Sequence, residues 1–509
     1  MRRWPIYARA DSQKFLKMPI PFPPYKKVTA LQIARPTATD DPTCVVRIST
    51  TASQAQTFRY ALAVPRDTRQ TLALAWLALG VAALLASGLF SVLLVLSRTP
   101  QLQAWFPVAD FFRVALVVHV DLSVLVWFLA FGGALWTLSG GTRWQALAWC
   151  AFAFATLGAI ILCAAPFVQA AAPVMSNYVP VLNGSVFLAG LGLFGYGISL
   201  LCFRSMLTAA PVGTRISPEG ALRFGLHAAM VATAVAGLAL IWAWATLPTG
   251  LDALAYYELL FWGSGHVLQF VYVLLMLVSW VWLACALGPG LRLSPRVLTL
   301  LFAVALLAVF LTPMTYLAYD VGSIANHRAQ TLLMRYGGGL VIGPIAVAVL
   351  WSVWPLAPVP LDLQALRSSL LASLILFSAG GLIGFMISGS NVRIPAHYHG
   401  CIVGVTLAMM GLTYLLLPQF GFAAPRSRTA VWQPVIYGGG QLLHIMGLVW
   451  SGGYGVQRKV AGADQVLRTS QEVWGMGLMG LGGLIAIVGG LLFLVIVLRA
   501  TRNRTGATA

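Results

Sequence analysis

The seven histidines are the residues of this sequence best suited to hold a redox metal, and two of them are separated by a single residue. His397 and His399 lie within the segment AHYHG. On an α-helix, residues i and i+2 are separated by about 200°, so these two side chains point to nearly opposite faces. They cannot chelate one ion, but each can ligate a separate centre on its own side of the helix. Because haem iron takes axial imidazole ligands, a helix with this pattern can stand between two haems.

The elements that carry these histidines are predicted to be membrane-spanning helices. Of the 509 residues, 59% are hydrophobic and only 9% are charged, whereas a soluble domain has roughly 25% charged residues. Apolar runs long enough to cross a bilayer recur along the chain, and they are continuous rather than alternating, as in helices and not in barrel strands. The sequence therefore predicts an all-α polytopic membrane protein, a twelve-transmembrane-helix bundle. The predicted spans are 72–98, 109–138, 145–171, 183–206, 222–247, 256–287, 296–319, 331–354, 367–389, 392–418, 431–452 and 472–499.

The distribution of cations predicts how the bundle is oriented. Most of the 32 Lys and Arg residues lie in the segment 1–68, in alternate loops and at the C-terminus, and such residues concentrate on the cytoplasmic side of membrane proteins. We expect a polar, basic, disordered cytoplasmic arm over 1–68, a haem-binding membrane domain over 69–500 and a cytoplasmic tail over 501–509. Topology rather than nucleic-acid binding then explains the net charge of +19, and the predicted location is the inner (cytoplasmic) membrane.

Four of the histidines fall at a similar depth in this arrangement. His119 lies about ten residues, or about 15 Å, into the second span, and His266 lies about as deep in the sixth. His397 and His399 occupy the first turns of the tenth span. With both termini cytoplasmic, these three spans all run from outside to inside. A single buried histidine is more often a hydrogen-bonded core residue, but four at one depth indicate a functional site.

Four motifs give the membrane part a resemblance to subunit I of the haem-copper oxidase superfamily, the cytochrome c oxidase type with its nitric oxide reductase relatives. They are VVHVDLSVLVWFLAF in span 2, FWGSGHVLQF in span 6, PAHYHGCIVG in span 10 and GGYGVQRK after span 11, and the resemblance covers 70–500. It implies that His119 and His399 are the axial ligands of a low-spin haem. His397 would be the proximal ligand of a high-spin haem whose open face binds the gaseous substrate, and His266 would hold a non-haem metal facing it.

The resemblance also implies contacts at the outer surface and partner proteins. Arg458 and Lys459 would pair with the haem propionates, and cations just beyond a helix end do suit anionic carboxylates. The chain has neither a CxxCH motif nor the CxxxC spacing of a dinuclear copper site. Electrons would therefore come from cytochrome c, by way of other oxidase subunits that carry dinuclear copper or a cytochrome c.

Two departures from the superfamily pattern leave the second metal open, as copper or iron. The superfamily has two adjacent histidines near the outer end of span 7, but here the stretch reads LTPMTYLAYDVGSIANHR, with no such pair. A copper site with one imidazole would be weak, because copper prefers several nitrogen ligands. The tyrosine that usually follows the span 6 histidine by four residues is replaced by Phe270. Iron accepts mixed ligands, so His266 could hold it with Asp320, Glu258 or His327, the last expected in an outer loop.

The leading hypothesis is a catalytic subunit I that reduces oxygen to water at His397 and His266. The first alternative is a nitric oxide reductase of the same superfamily, because those enzymes lack the tyrosine and use iron with nearby carboxylates. The second is a haem-holding electron-transfer paralogue that catalyses nothing. A transporter is the third, because intramembrane histidines also serve proton relays. His227 and His444 are interpreted as structural residues.

Overall fold

The structure, a computed structural model, describes residues 56–96, 111–209, 216–288, 290–354, 358–458 and 467–503. In these ranges twelve long helices follow one another, which confirms the predicted all-α polytopic bundle. They are α1 (Thr68–Leu96), α2 (Phe111–Ser139), α3 (Gln145–Val168), α4 (Ser185–Thr208), α5 (Pro218–Thr246), α6 (Ala253–Leu287), α7 (Pro295–Ala318), α8 (Ile324–Val353), α9 (Leu361–Phe385), α10 (Arg393–Gln419), α11 (Arg428–Gly453) and α12 (Ser470–Arg502).

Eleven of these helices are long and apolar enough to cross a membrane. The remaining helix, α11, carries Gln433, Gln441 and His444 within its length, which lowers its hydropathy. It packs against α9, α10 and α12, so its polar side chains face protein. Gln433 is fully buried and bonds the Tyr414 hydroxyl and the Gly489 carbonyl.

The helices that carry the histidine motifs form the centre of the bundle. In the most apolar 18-residue stretch of each helix, the buried share is 72% in α2, 78% in α6 and 83% in α10. The corresponding share in α1, α3 and α7 is 33%. Side chains on these three helices are therefore surrounded by protein. A site built between them is shielded from lipid and water.

Two helices are interrupted by a π-helical turn close to a candidate ligand. The first is Asp121–Val126 in α2, two residues after His119, and the second is Leu333–Gly338 in α8. Such turns insert an extra residue into the helix and frequently mark functional sites.

Helix α8 begins earlier than predicted, and this corrects the expected position of His327. The Ser323 hydroxyl accepts a hydrogen bond from the Asn326 amide at 3.1 Å and caps the helix. His327 is therefore helical rather than in a loop.

A short antiparallel hairpin between α3 and α4 was not predicted. Strand β1 (Ala172–Val174) pairs with β2 (Val181–Asn183), with Pro173 opposite Leu182. The hairpin lies against α2 and α6, so the tip segment 175–180 reaches the central helices.

The predicted disordered arm does not extend over residues 56–67. Phe58 and Leu291 exchange two backbone hydrogen bonds of 2.8 and 2.9 Å. Tyr60 is fully buried, and its hydroxyl donates to the Leu293 carbonyl at 2.6 Å. This part of the arm is thus fixed against the end of α6 and the loop that follows. Residues 1–55 lie outside the described residues, as do 504–509 of the predicted tail.

Candidate haem site

The three predicted haem ligands are oriented in the same way. The Nδ1 atom of His119 donates to the Ser87 carbonyl at 2.9 Å, that of His397 to the Gly380 carbonyl at 2.7 Å, and that of His399 to the Pro395 carbonyl at 2.8 Å. A carbonyl oxygen can only accept, so the proton of each neutral ring sits on Nδ1. The Nε2 lone pair is then available to a metal, which is how axial imidazoles are normally held.

His119 is fixed by a serine on each side of its backbone. The Ser87 hydroxyl on α1 and the Ser123 hydroxyl on α2 both donate to the His119 carbonyl, at 3.0 and 2.7 Å. The π-helical turn begins directly afterwards. The sharing of one low-spin haem by His119 and His399 stays a prediction.

His397 and His399 point away from each other, as the spacing within AHYHG predicts. His397 bonds α9, and a Cβ on Gly384 of that helix would come within 2.8 Å of its ring. His399 faces α11, where the His444 ring lies 5.0 Å away between centroids. His444 donates from Nδ1 to the Met479 carbonyl at 3.0 Å, so it adds a fourth imidazole with a free Nε2.

His266 is held differently from the other three. Its Nδ1 donates to the Trp262 carbonyl at 2.7 Å, and its Nε2 accepts a hydrogen bond from the Tyr178 hydroxyl at 2.9 Å. Only 3% of its surface is exposed. Burial raises the pKa of the Tyr178 hydroxyl, with a further contribution from the Glu258 carboxylate, so this hydroxyl stays protonated and donates. Both ring nitrogens of His266 are therefore occupied.

The other predicted ligands of the second metal do not gather around His266. Asp320 is exposed to solvent. Glu258 accepts hydrogen bonds from the backbone and the side chain of Asn177. His327 stacks on the Trp262 ring with centroids 4.4 Å apart. Across the part of the chain that the structure describes, no three His, Cys, Asp or Glu residues come close enough to share an ion. The residues fit haem at three positions but do not fit the second metal.

Two arginines lie at the N-terminal end of α10, which is the predicted outer end. The Arg458 guanidinium donates to the Ser390 hydroxyl at 3.2 Å and to the Asn177 side chain at 3.1 Å. Arg393 lies in the first turn of α10, and its Nε atom is buried without a partner. Lys459 lies outside the described residues. The predicted contacts between propionates and Arg458 remain a prediction, to which the position of Arg393 lends support.

Three residues near the histidines were missed in the sequence. Arg335, in the π-helical turn of α8, is close enough to act electrostatically on His397. Asp121 is 2% exposed, and its Oδ2 atom has no hydrogen-bond partner. Both are ionisable residues inside apolar helices, a signal that could have identified them. Tyr178 comes from a loop and carried no such signal.

His227 lies away from these residues, at the predicted cytoplasmic end. It lines a cavity of about 20 Å³ together with Ser139, Ser205 and Arg223, a volume that suits a single water molecule. The structure thus does not bring His227 into the candidate haem site.

Comparison with known proteins identifies relatives in sequence and in fold. No protein-family model matches the chain. The uncharacterized protein RP382 of Rickettsia prowazekii (strain Madrid E) is 30% identical over 503 residues, which cover 84% of this chain and 95% of that protein. An uncharacterized protein of Aquifex aeolicus (strain VF5) is 28% identical over 347 residues, or 68% of this chain and 85% of that one. Among solved structures, a haem-copper terminal oxidase dimer matches with a TM-score of 0.69, covering 87% of this chain and 86% of that chain at 16% identity.

Proposed function

Because the chain belongs to the same family as the Rickettsia protein RP382 and has the fold of a haem-copper terminal oxidase, we propose that it is the haem-bearing catalytic subunit of a membrane oxidoreductase. His119 and His399 would hold a low-spin haem, and His397 would hold a high-spin haem. The reaction is the reduction of oxygen to water. Electrons come from cytochrome c through partner subunits at the outer face of the cytoplasmic membrane, and both termini of the chain are cytoplasmic.

The observation that carries this proposal is the shared orientation of the three imidazoles. Each has its Nδ1 proton committed to a backbone carbonyl and its Nε2 free. An axial ligand needs an unoccupied Nε2 lone pair, which each of these three imidazoles offers. His444 has its Nδ1 committed in the same way, so the orientation supports metal ligation at the three positions that the sequence motifs also mark.

The residues around the two proposed haem centres have three roles, which are to bind haem, to contact its propionates and to exclude water. Bound haem supplies the redox-active iron. His397 and His399 would hold two such groups on opposite faces of one helix. Arg458 and Arg393 would offer guanidinium groups to the propionates at the predicted outer end of α10. The apolar surroundings of α6 and α10 keep bulk water away from the reacting gas.

A second candidate function is electron transfer without gas reduction. It is favoured by His266, both of whose ring nitrogens are occupied, so the usual second metal lacks its first ligand. Nitric oxide reduction has less support, because Glu258 is engaged by Asn177 and Asp320 is exposed rather than turned to His266.

Spectroscopy and turnover on the purified full-length protein test the proposal. We expect low-spin and high-spin haem signals together, a carbon monoxide adduct of the reduced high-spin haem, and oxygen consumption with reduced cytochrome c. Haem signals without oxygen or nitric oxide turnover would support the electron-transfer candidate instead. Turnover of nitric oxide alone would identify the substrate as nitric oxide.

A further inference from the structure

We propose that the place of the second metal is taken in this chain by a hydrogen-bonded aromatic cluster of Tyr178, Trp262, His266 and His327, and that the protein binds haem without a non-haem metal. This inference deepens the proposed function, and it rests on that proposal only for the position of the cluster beside the high-spin haem. We refer to these four residues as the Tyr178 cluster.

Both nitrogens of the His266 ring are engaged in hydrogen bonds. A neutral imidazole has one nitrogen with a proton and one with a lone pair. The proton on Nδ1 is donated to the Trp262 carbonyl of the preceding turn, and the lone pair on Nε2 accepts the Tyr178 hydroxyl. Metal binding would have to displace one of these bonds and leave a buried polar group unsatisfied.

The Trp262 indole lies between the imidazoles of His266 and His327. The Trp262 ring lies 4.9 Å from the His266 ring and 4.4 Å from the His327 ring, between centroids, and it is stacked on the latter at 12°. The imidazoles are therefore arranged around an indole rather than around a common centre. The buried Nε2 of His327 has no partner, but this leaves one ligand, and transition metals in proteins take several.

Tyr178 is held in place by the contacts of its hairpin with α6. The hairpin that carries it is bound to α6 at two further points. Asn177 donates its backbone amide to Glu258 at 3.0 Å, and the Tyr257 hydroxyl donates to the Asn183 side chain at 2.9 Å. Gly265 on α6 lies directly under the Tyr178 ring, and a Cβ at that position would collide with it. The glycine thus makes the room in which the tyrosine reaches His266.

The measurement that tests the inference is the metal content of the purified full-length protein, from cells supplied with copper and iron, set against its haem content. We expect iron equal to haem and no stoichiometric copper. Stoichiometric copper or non-haem iron that is lost on His266→Gln would overturn the inference. A preparation without haem would contradict the proposed function, while its copper and iron content would still decide the present inference.

A double-mutant cycle provides a second readout that does not depend on activity. Tyr178→Phe and His266→Gln should each lower the Tm and should be strongly non-additive when combined, because each removes one side of the same bond. Tyr257→Phe is the matched control. It removes another hydroxyl between α6 and the hairpin without touching His266, so it should be additive with His266→Gln. Additive Tm changes for Tyr178→Phe and His266→Gln would contradict the hydrogen bond on which the Tyr178 cluster depends.

Discussion

At the scale of single residues, the direction of an imidazole decides what it can do. His119, His397 and His399 all commit Nδ1 to a carbonyl of the backbone, and the carbonyl comes from a different place each time, namely α1, α9 and the preceding turn of α10. The same kind of backbone hydrogen bond therefore orients three candidate ligands on two helices. His266 shows the contrast, because a tyrosine hydroxyl occupies the nitrogen that would otherwise face a metal.

Substitution of the individual ligands should remove the two haem signals separately. His119→Ala or His399→Ala should abolish the low-spin signal, whereas His397→Ala should abolish the high-spin signal and the carbon monoxide adduct. Optical and EPR spectra of the purified variants measure this. His227→Ala is the control, since His227 lies at the predicted cytoplasmic end beside a small cavity. Spectra that do not change in the first three variants would refute the ligand assignment.

The charge of Arg335 should raise the reduction potential of the high-spin haem. Arg335 lies close enough to act on His397, and a nearby positive charge disfavours the ferric state more than the ferrous state. Arg335→Gln should therefore lower the midpoint potential of the high-spin haem in a spectroelectrochemical titration and leave that of the low-spin haem unchanged.

Arg328→Gln is the matched control for this potential. Arg328 lies seven residues earlier on the same helix and is exposed, about 10 Å further toward the N-terminal end of α8 at the rise of an α-helix. An equal shift in both variants, or no shift in Arg335→Gln, would show that the Arg335 charge does not act on this haem.

At the scale of elements, close backbone contacts set the position of the candidate ligands. Helices α11 and α12 meet along glycines that recur every seven residues, Gly440 and Gly447 on one helix and Gly475, Gly482 and Gly489 on the other. A Cβ on Gly440 would come within 2.5 Å of the Ala486 amide nitrogen. Small residues at such positions let membrane helices pack backbone to backbone, and this contact brings His444 to the Met479 carbonyl.

Alanine substitution should distinguish the glycines of this interface from exposed ones. A Cβ on Gly482 would collide with the backbone of His444, whereas a Cβ on Gly480 would have nothing within 4 Å. Gly482→Ala should lower the Tm of the purified protein. Gly480→Ala should leave it unchanged or raise it, because alanine is favoured over glycine in a helix by about 1 kcal/mol. Equal Tm values would mean that α11 and α12 are not in this close contact.

The sequence predicts the helices well because membrane crossing imposes a long apolar run on each of them. It also predicts the opposite directions of His397 and His399, because their spacing alone fixes the angle between them. It could not place Tyr178, because the path of a loop depends on long-range contacts such as that between Asn177 and Glu258. The start of α8 was misjudged because the polar run IANHRAQTL resembles a loop, although Ser323 caps it as a helix.

At the scale of the whole molecule, the basic segments and the histidines are predicted to lie toward opposite sides of the membrane. The positive-inside rule predicts that the basic segments are cytoplasmic and that the motif helices place their histidines in the outer half. Arg458 and Arg393 lie at the N-terminal end of α10, which is the predicted outer end, and the hairpin of Tyr178 is joined to it through the Asn177 side chain. We therefore expect electrons to enter from the outer face and both termini to lie in the cytoplasm.

Reporter fusions test this orientation in cells. Fluorescent protein fused after the C-terminus should be fluorescent, and alkaline phosphatase at the same position should be inactive. In the loop between Gln169 and Ala171, which precedes the hairpin, an inserted fluorescent protein should be dark and an inserted alkaline phosphatase should be active. Fluorescence of a fluorescent protein inserted in that loop would contradict the predicted topology and would indicate that the haem site lies near the cytoplasmic face.

The central claim is that this chain binds haem through His119, His399 and His397. The most direct test is the reduced-minus-oxidised absorption spectrum of the purified full-length protein, recorded with and without carbon monoxide and compared with the haem content. We expect two haems per chain, one low-spin and unaffected by carbon monoxide and one high-spin that binds it. A pure protein without haem absorbance, or one whose spectrum survives substitution of all three histidines, would contradict it.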